Sequence, residues 1–251
     1  MRSMRFSVLA IMLLLGASLA RADETVSVKL GYQDMALSGQ FAGVVGGVGN
    51  TIDVKNDLSF KRSDNITGEL ALQLGDERLS FGYLPLDFKG SGTLARNISY
   101  NGQNYAAGTA VTSRIKATIY DFAVTHYLIN MNDMPTRFQL GIEPAVKIVH
   151  AESSLTAAGA TNQVSASVPI PTMGLRARVA LADFVGIVGR VGYMAYANNH
   201  FLDADGQIEF SPVPLLGIYA GYRRLDVKID SSGTYVSLQM AGPYAGAFFR
   251  F

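Results

Sequence analysis

Lys29, Glu69, Arg114, Lys116, Glu143, Lys147, Arg176, Arg178, Arg190, Glu209, Arg224, Asp226 and Lys228 share one property: each lies on the polar side of a stretch that alternates apolar and polar residues. Charges of both signs on one face of a wall can do two things. Turned towards each other across a narrow interior they pair and fill it; held apart they line a passage, and the basic excess of this set would draw anions. Acid–base or nucleophilic chemistry is a third option, and it needs a Ser or Asp within hydrogen-bond reach of a histidine. Only His126, His150 and His200 are available, with Ser153, Ser154, Asp203 and Asp205 near two of them in sequence. Asp203-x-Asp205-Gly206 looks like the start of a calcium loop, but the distal glutamate is missing, and the stretch reads as an Asp-Gly turn. With no cysteine, disulfides, thiol catalysis and thiolate metal sites are excluded. The expectation is a protein without catalytic residue, metal or cofactor.

The elements that must position these charges are short and have a period of two. Val26, Val28, Leu30 and Tyr32 alternate with Ser27, Lys29 and Gly31. Ile66, Gly68, Leu70, Leu72 and Leu74 oppose Thr67, Glu69, Ala71 and Gln73, and Gly75-Asp76 then makes a tight turn. A third strand runs from Arg78 to about Phe88, with a bulge or an end at Pro85 because proline cannot donate to a ladder. The fourth, Arg114 to Ile129, switches its apolar face near Asp121, which predicts a bulge. The fifth sets Phe138, Leu140, Ile142, Val146 and Ile148 outward, opposite Arg137, Gln139, Gly141, Glu143, Ala145 and Lys147. Val164 to Leu181, Phe184 to Tyr196, Ile208 to Phe210, the run Leu225-Val227-Ile229 opposite Arg224-Asp226-Lys228, and a last strand with a change of face at Gly242-Pro243 complete ten.

Between them, Asp34 to Asp64, Gly90 to Thr112 and Ala151 to Asn162 read as long loops, and Asn198 to Asp205 as a turn. Long connections alternate with short ones, as expected when one end of a barrel faces the periplasm and the other the outside. Eight strands result if two are misread, and twelve if the first loop hides a hairpin.

Residues 1–22 read as a cleaved export signal: Arg2 and Arg5, an apolar stretch from Phe6 to Leu19, then Ala20-Arg21-Ala22. With its arginines gone, the 20 acidic residues outnumber the basic ones, and nothing suggests nucleic acid. After it, no apolar run is long enough for a transmembrane helix. Yet 49% of the residues are hydrophobic, and Tyr32, Tyr83, Tyr127, Tyr193, Phe210, Phe249 and Phe251 fall near strand ends, where aromatic residues suit a membrane interface. A soluble β-sandwich shows similar alternation, but one in an exported, glycine-rich chain suggests a transmembrane β-barrel over residues 23–251.

The end of the chain supports the same reading. Tyr244, Gly246, Phe249 and terminal Phe251 form Tyr-x-Gly-x-x-Phe-x-Phe, which resembles the terminal signal of Gram-negative outer-membrane β-barrels. With Ile52-Asp-Val-Lys-Asn-Asp-Leu58, Val168-Pro-Ile-Pro-Thr-Met173 and Gly221-Tyr-Arg223, the chain is similar to a family of small, largely uncharacterised outer-membrane β-barrel proteins of Gram-negative bacteria. The resemblance implies an all-β antiparallel barrel in the outer membrane, in contact with its lipids, assembled by the barrel-assembly machinery and monomeric. It transfers no catalytic residue, and neither an omptin protease pattern nor a lipid A deacylase pattern is present. The expected role is structural, with a lumen filled by salt bridges. A narrow channel for small anionic solutes is the alternative, and a hydrolase at the outer rim the third reading.

Overall fold

The computed structural model describes residues 26–43, 51–131, 137–213, 215–231 and 234–251. The export signal lies outside these residues, as does the Gly46–Asn50 part of the first long loop. Ten long antiparallel strands form the wall: β1 (Val26–Gly43), β3 (Ser63–Leu74), β4 (Glu77–Thr93), β7 (Ala110–Asn130), β8 (Arg137–Ala157), β9 (Ala160–Ala182), β10 (Val185–Tyr196), β11 (Asn199–Val213), β12 (Leu216–Ser231) and β13 (Thr234–Arg250). Three short ones, β2 (Ile52–Asp53), β5 (Ile98–Tyr100) and β6 (Gln103–Tyr105), lie at the outer end. Each long strand pairs with its neighbours in chain order, and β13 pairs with β1 from Ser27↔Arg250 to Gly43↔Thr234, so the sheet closes on itself. Phe251 completes the closure, its N–H donating to the Val26 carbonyl at 3.0 Å and its carbonyl accepting from the Val26 N–H at 2.8 Å. Closure leaves no strand edge at the seam between the chain's two ends, which suits a wall surrounded by lipid.

The strands are longer than their apolar patterns. Residues 34–43, read as loop, belong to β1, and residues 90–93 and 110–112 to β4 and β7. The stretch Ala151 to Asn162 is no loop: β8 and β9 pair through it to Ala157↔Ala160, joined by Ala158-Gly159 with φ of 49° and 80°. Positive φ at both central residues is the turn that fits the twist of a hairpin. Asn199 to Asp205 is likewise strand, the turn being confined to Ala197-Asn198 between Tyr196 and Asn199. The Asp-Gly turn expected at Asp205-Gly206 is therefore the middle of β11.

These segments were misread because the wall changes polarity along its height without changing its pleat. On β7 the odd residues face inward throughout, from Ile119 through Asp121 and Ala123 to Tyr127, all buried. Even residues face outward: Phe122, Val124 and Leu128 are exposed apolar groups, while Arg114 and Lys116 occupy the same face nearer the outer end. No bulge interrupts β7 at Asp121, since pairing with β4 is unbroken from Glu77↔His126 to Thr93↔Ala110. Its one register shift, against β8, falls between Tyr127 and Ile129. Pro85 and Gly242-Pro243 also lie in unbroken register on at least one side.

The outer half of the barrel is accordingly packed inside with apolar residues. Met35, Leu37, Leu84, Leu86, Phe88, Ile119, Phe201, Leu225 and Met240 form one buried cluster across the lumen. A second cluster, Ile52, Leu58, Leu94, Ile98, Tyr100, Val111 and Leu155, seats the cap of β2, β5 and β6 above it. In the membrane half the outward face carries Leu30, Ile66, Leu70, Phe81, Phe122, Ile187 and Ile208, and the inward face carries the charges.

The charged lumen as candidate functional site

Each of the ten long strands sends at least one charged side chain into the lumen. They gather around two carboxylates on the inner face of β11, Asp203 and Glu209, about 20 Å apart along the strand at six residues' spacing. Asp203 is 1% exposed. Arg223 clasps it from β12 with Nε and Nη2 at 2.9 and 2.6 Å, Lys147 reaches it from β8 at 2.7 Å, and Arg190 from β10 at 3.2 Å. Lys147 Nζ also donates to Asp121 on β7 at 2.6 Å. Arg190 is the hub of this group, with Asp121 at 2.9 Å, Asp205 at 3.1 Å and Glu143 at 3.6 Å as well. Tyr244 of β13 donates its hydroxyl to the second oxygen of Asp205 at 3.0 Å.

Glu209 is 2% exposed and sits at the other end of the network. Lys29 of β1 donates to it at 2.8 Å, Arg178 of β9 lies at 3.5 Å, and Arg250 of β13 is bonded to it, while Gln207 donates at 2.6 Å. The Arg250 guanidinium also stacks over the Phe248 ring, 3.9 Å from its centre. Between the two groups Arg78 of β4 pairs with Glu69 of β3 at 2.8 Å, and Thr125 donates to Glu143 at 2.6 Å. Charges removed from water this thoroughly are tolerable because each has an opposite charge and further hydrogen bonds.

Of the charges expected in the lumen, Lys29, Glu69, Glu143, Lys147, Arg176, Arg178, Arg190 and Glu209 lie there. Arg114, Lys116, Arg224, Asp226 and Lys228 do not. They face outward on β7 and β12, where Arg114 pairs with Asp87 at 2.7 Å and Arg224 with Asp226 at 2.8 Å. Their inward neighbours are apolar, Leu225 being fully buried, because in the outer half water is outside. Leu225 and Val227 are consequently turned to the lumen and not to lipid. Tyr127, expected in an interfacial girdle, is also inward and buried.

Sequence reasoning missed Arg78, Asp121, Asp203, Asp205, Arg223 and Arg250. A signal existed for β11: Asp203, Asp205, Gln207 and Glu209 continue one period of two. For Arg223-Arg224 the pattern alone gives no phase, since one of two adjacent arginines must face inward either way.

All three histidines lie on the outer face. His126 Nδ1 is 2.6 Å from Glu77, His150 Nδ1 is 2.8 Å from Ser167 Oγ, and His200 stacks on Tyr193. Asp203 and Asp205 are on the inner face, so the wall separates them from His200. Ser153 is turned inward and bonded to Tyr100, on the face opposite His150. Among the described residues no His, Cys, Asp and Glu group has the arrangement of a metal site.

Within the C-terminal pattern, Phe249 and Phe251 are exposed on the outer face, while Tyr244 and Gly246 face the lumen. A Cβ at Gly246 would lie 2.2 Å from the Leu30 carbonyl oxygen and 2.7 Å from the Tyr219 hydroxyl, so this position has no room for a side chain.

The chain matches no family model and no curated protein. Its fold is similar to solved outer-membrane β-barrels. The outer membrane protease OmpT from Escherichia coli aligns over 94% of this chain and 99% of its own, at 10% identity and a TM-score of 0.58. The translocator domain of the autotransporter NalP from Neisseria meningitidis aligns over 99% and 95%, at 12% identity and a TM-score of 0.43. Ail, the attachment invasion locus protein of Yersinia pestis, aligns over 89% and 98%, at 8% identity and a TM-score of 0.37. At these identities the likeness is one of fold: a closed antiparallel barrel of the outer-membrane type.

Proposed function

We propose that the chain is a monomeric protein of the outer membrane, embedded in its lipids, with a structural role, closed to solutes along its axis and without cofactor or catalytic activity. The observation that carries this reading is double closure of the lumen. Ion pairs drawn from all ten strands cross its membrane half, and the cluster around Leu225, Met35 and Phe88 fills its outer half. An exposed apolar belt around a charged interior supports placement in lipid, and the fold of OmpT supports the outer membrane as its site.

Single-channel recording in planar bilayers tests the closure. The protein should give no resolved current steps; anion-selective steps would replace this reading with the channel that the cationic excess of the lumen favours. Insertion by the barrel-assembly machinery is tested separately by deleting Phe251. That deletion removes one outward aromatic residue and the last two bonds of closure. The level in the outer membrane should fall sharply with export unchanged, and an undiminished level would remove the terminal residue from the assembly signal.

A further inference from the structure

β3 and β4 pair from Leu74↔Glu77 only as far as Gly68↔Tyr83. Beyond that rung β3 stays paired with β1 to Ser63, and β4 with β7 to Thr93, so both strands continue but no longer to each other. Pro85 lies just past the last rung and has no N–H with which to extend the ladder. Side chains span the seam instead. Gln33, 1% exposed, reaches from β1 to donate Nε2 to the Pro85 carbonyl at 2.7 Å, and Ser63 Oγ accepts from the Asp87 N–H at 2.7 Å. The wall recloses higher up, where the Lys61 N–H donates to the Lys89 carbonyl at 2.9 Å.

A lumen cavity of about 70 Å³ lies against the inner side of this seam, with Thr67, Gly68, Leu84 and the outward-facing Tyr83 in its wall. On this measure it has room for roughly five water-sized groups. Along the barrel axis it is shut off by the apolar cluster on one side and by the ion pairs of Glu209 on the other. The charges lining it are Lys29, Arg190 and Arg223 against Glu69, Asp121 and Asp205, which cancel. Its cations are engaged: Lys29 with Glu209, Arg190 with three carboxylates at 3.2 Å or less, Arg223 with Asp203. Its acceptors are not all used. Glu69, whose side chain is 25% exposed, receives Arg78 through Oε1, while Asp121 Oδ1, which has no hydrogen-bond partner, lies just beneath the cavity surface. A cavity with no net charge and spare acceptors favours a neutral donor over either kind of ion, whose transfer from water would go uncompensated.

We propose that the seam between β3 and β4, latched by Gln33, is a side entrance to this cavity, and that the cavity takes a small uncharged solute rich in hydrogen-bond donors, of the size of a short polyol. The inference goes beyond axial closure: the barrel is shut along its axis and reached through its wall.

Because the chain contains no cysteine, one introduced thiol is a unique reporter. Ser80→Cys places it in the cavity wall on β4, and Thr67→Cys places a second reporter across the seam on β3. In outer membranes, with folding verified by heat-dependent gel mobility, both thiols should react with methyl methanethiosulfonate. Gln33→Ala should raise the rate about ten-fold, the scale of opening set by removal of one hydrogen bond. Leu225→Ala, which loosens the axial seal, should leave the rate unchanged. Glycerol should slow the reaction, and acetate or methylammonium at equal concentration should not. Unreactive thiols, or a rate raised by Leu225→Ala and not by Gln33→Ala, would overturn the side entrance; equal protection by an ion would overturn the solute class. Current steps in a bilayer would overturn axial closure while leaving the Gln33→Ala result to decide this inference on its own.

Discussion

The membrane half and the outer half of this barrel use the same ten strands with opposite polarity. In the first, Leu70 and Phe122 face out and Glu69 and Asp121 face in; in the second, Arg114 and Arg224 face out and Ile119 and Leu225 face in. The pleat runs unbroken through the change on β7 and β12. Which face is apolar is therefore decided by the surroundings of each level: lipid outside forces charges inward, and water outside lets the interior be dry. The two interiors are also held differently. Charge pairs in the first are directional and mutually dependent, whereas apolar packing in the second is non-directional and roughly proportional to the area removed from water.

Breaking the first interior should have the largest effect. Lys147→Met leaves Asp121 and Asp203 buried around a lost cation, and removing one partner of a buried pair costs about 3–5 kcal/mol. Urea titration followed by far-ultraviolet circular dichroism reads this loss, the chain having no tryptophan to report it. In the second interior, Leu225→Ala removes a fully buried side chain, and such truncations cost about 2–5 kcal/mol, depending on how far the neighbours close the space. The sharper contrast lies in combining variants. Lys147→Met with Asp203→Asn, which share one ion pair, should be clearly non-additive, whereas Lys147→Met with Leu225→Ala should be nearly additive. Equal coupling in both combinations would mean that the two halves form one interior.

The same contrast explains what could be read from the sequence. Ile66 to Leu74 opposite Thr67 to Gln73 was legible because, in lipid, apolar means outward and the phase is unambiguous. Arg190 was legible as the only charge in its segment, and it is the hub of the network. Arg224, Asp226 and Lys228 show the same alternation, but the rule that assigned their face holds only at the level of the membrane. Ala151 to Asn162 failed for a related reason: apart from Leu155, which packs under the cap, no large apolar residue marks either face of the β8–β9 hairpin there, so polarity no longer separates strand from loop. The seam at Pro85 was visible as a proline, yet only the three-dimensional register shows that β4 continues past it on the β7 side.

A smaller effect follows from the outward charges of the outer half. Arg224 is half-exposed and pairs with Asp226 on its own strand, so Arg224→Ala should change stability by less than about 1 kcal/mol. Had Arg224 been a lumen residue, the change would resemble that of Lys147→Met. One urea titration of each thus measures how complete the inversion of polarity is.

The smallest effect belongs to the cap. Arg96 donates Nε and Nη2 to the two oxygens of Asp57 at 3.1 and 2.5 Å and is also bonded to the Thr51 carbonyl, tying the segment before β5 to the turn after β2. Burial pushes the Asp57 carboxyl up, but Arg96 and the Asp53 N–H outweigh it and hold the group below the usual carboxylate range. A carboxyl depressed in the folded state contributes stability above its unfolded value, about 3.9 for aspartate, and loses it as pH falls through the folded value. Amide exchange of residues 51–60, corrected for the intrinsic rate, should therefore lose protection only in acid. Arg96→Ala should weaken protection already at neutral pH and remove most of its acid dependence. Neither change should reach Asp203 or Glu209, because the apolar cluster lies between the cap and the charged lumen. Acid loosening that spread at once to the amides of β11 would show that the dry outer half does not insulate the network beneath it.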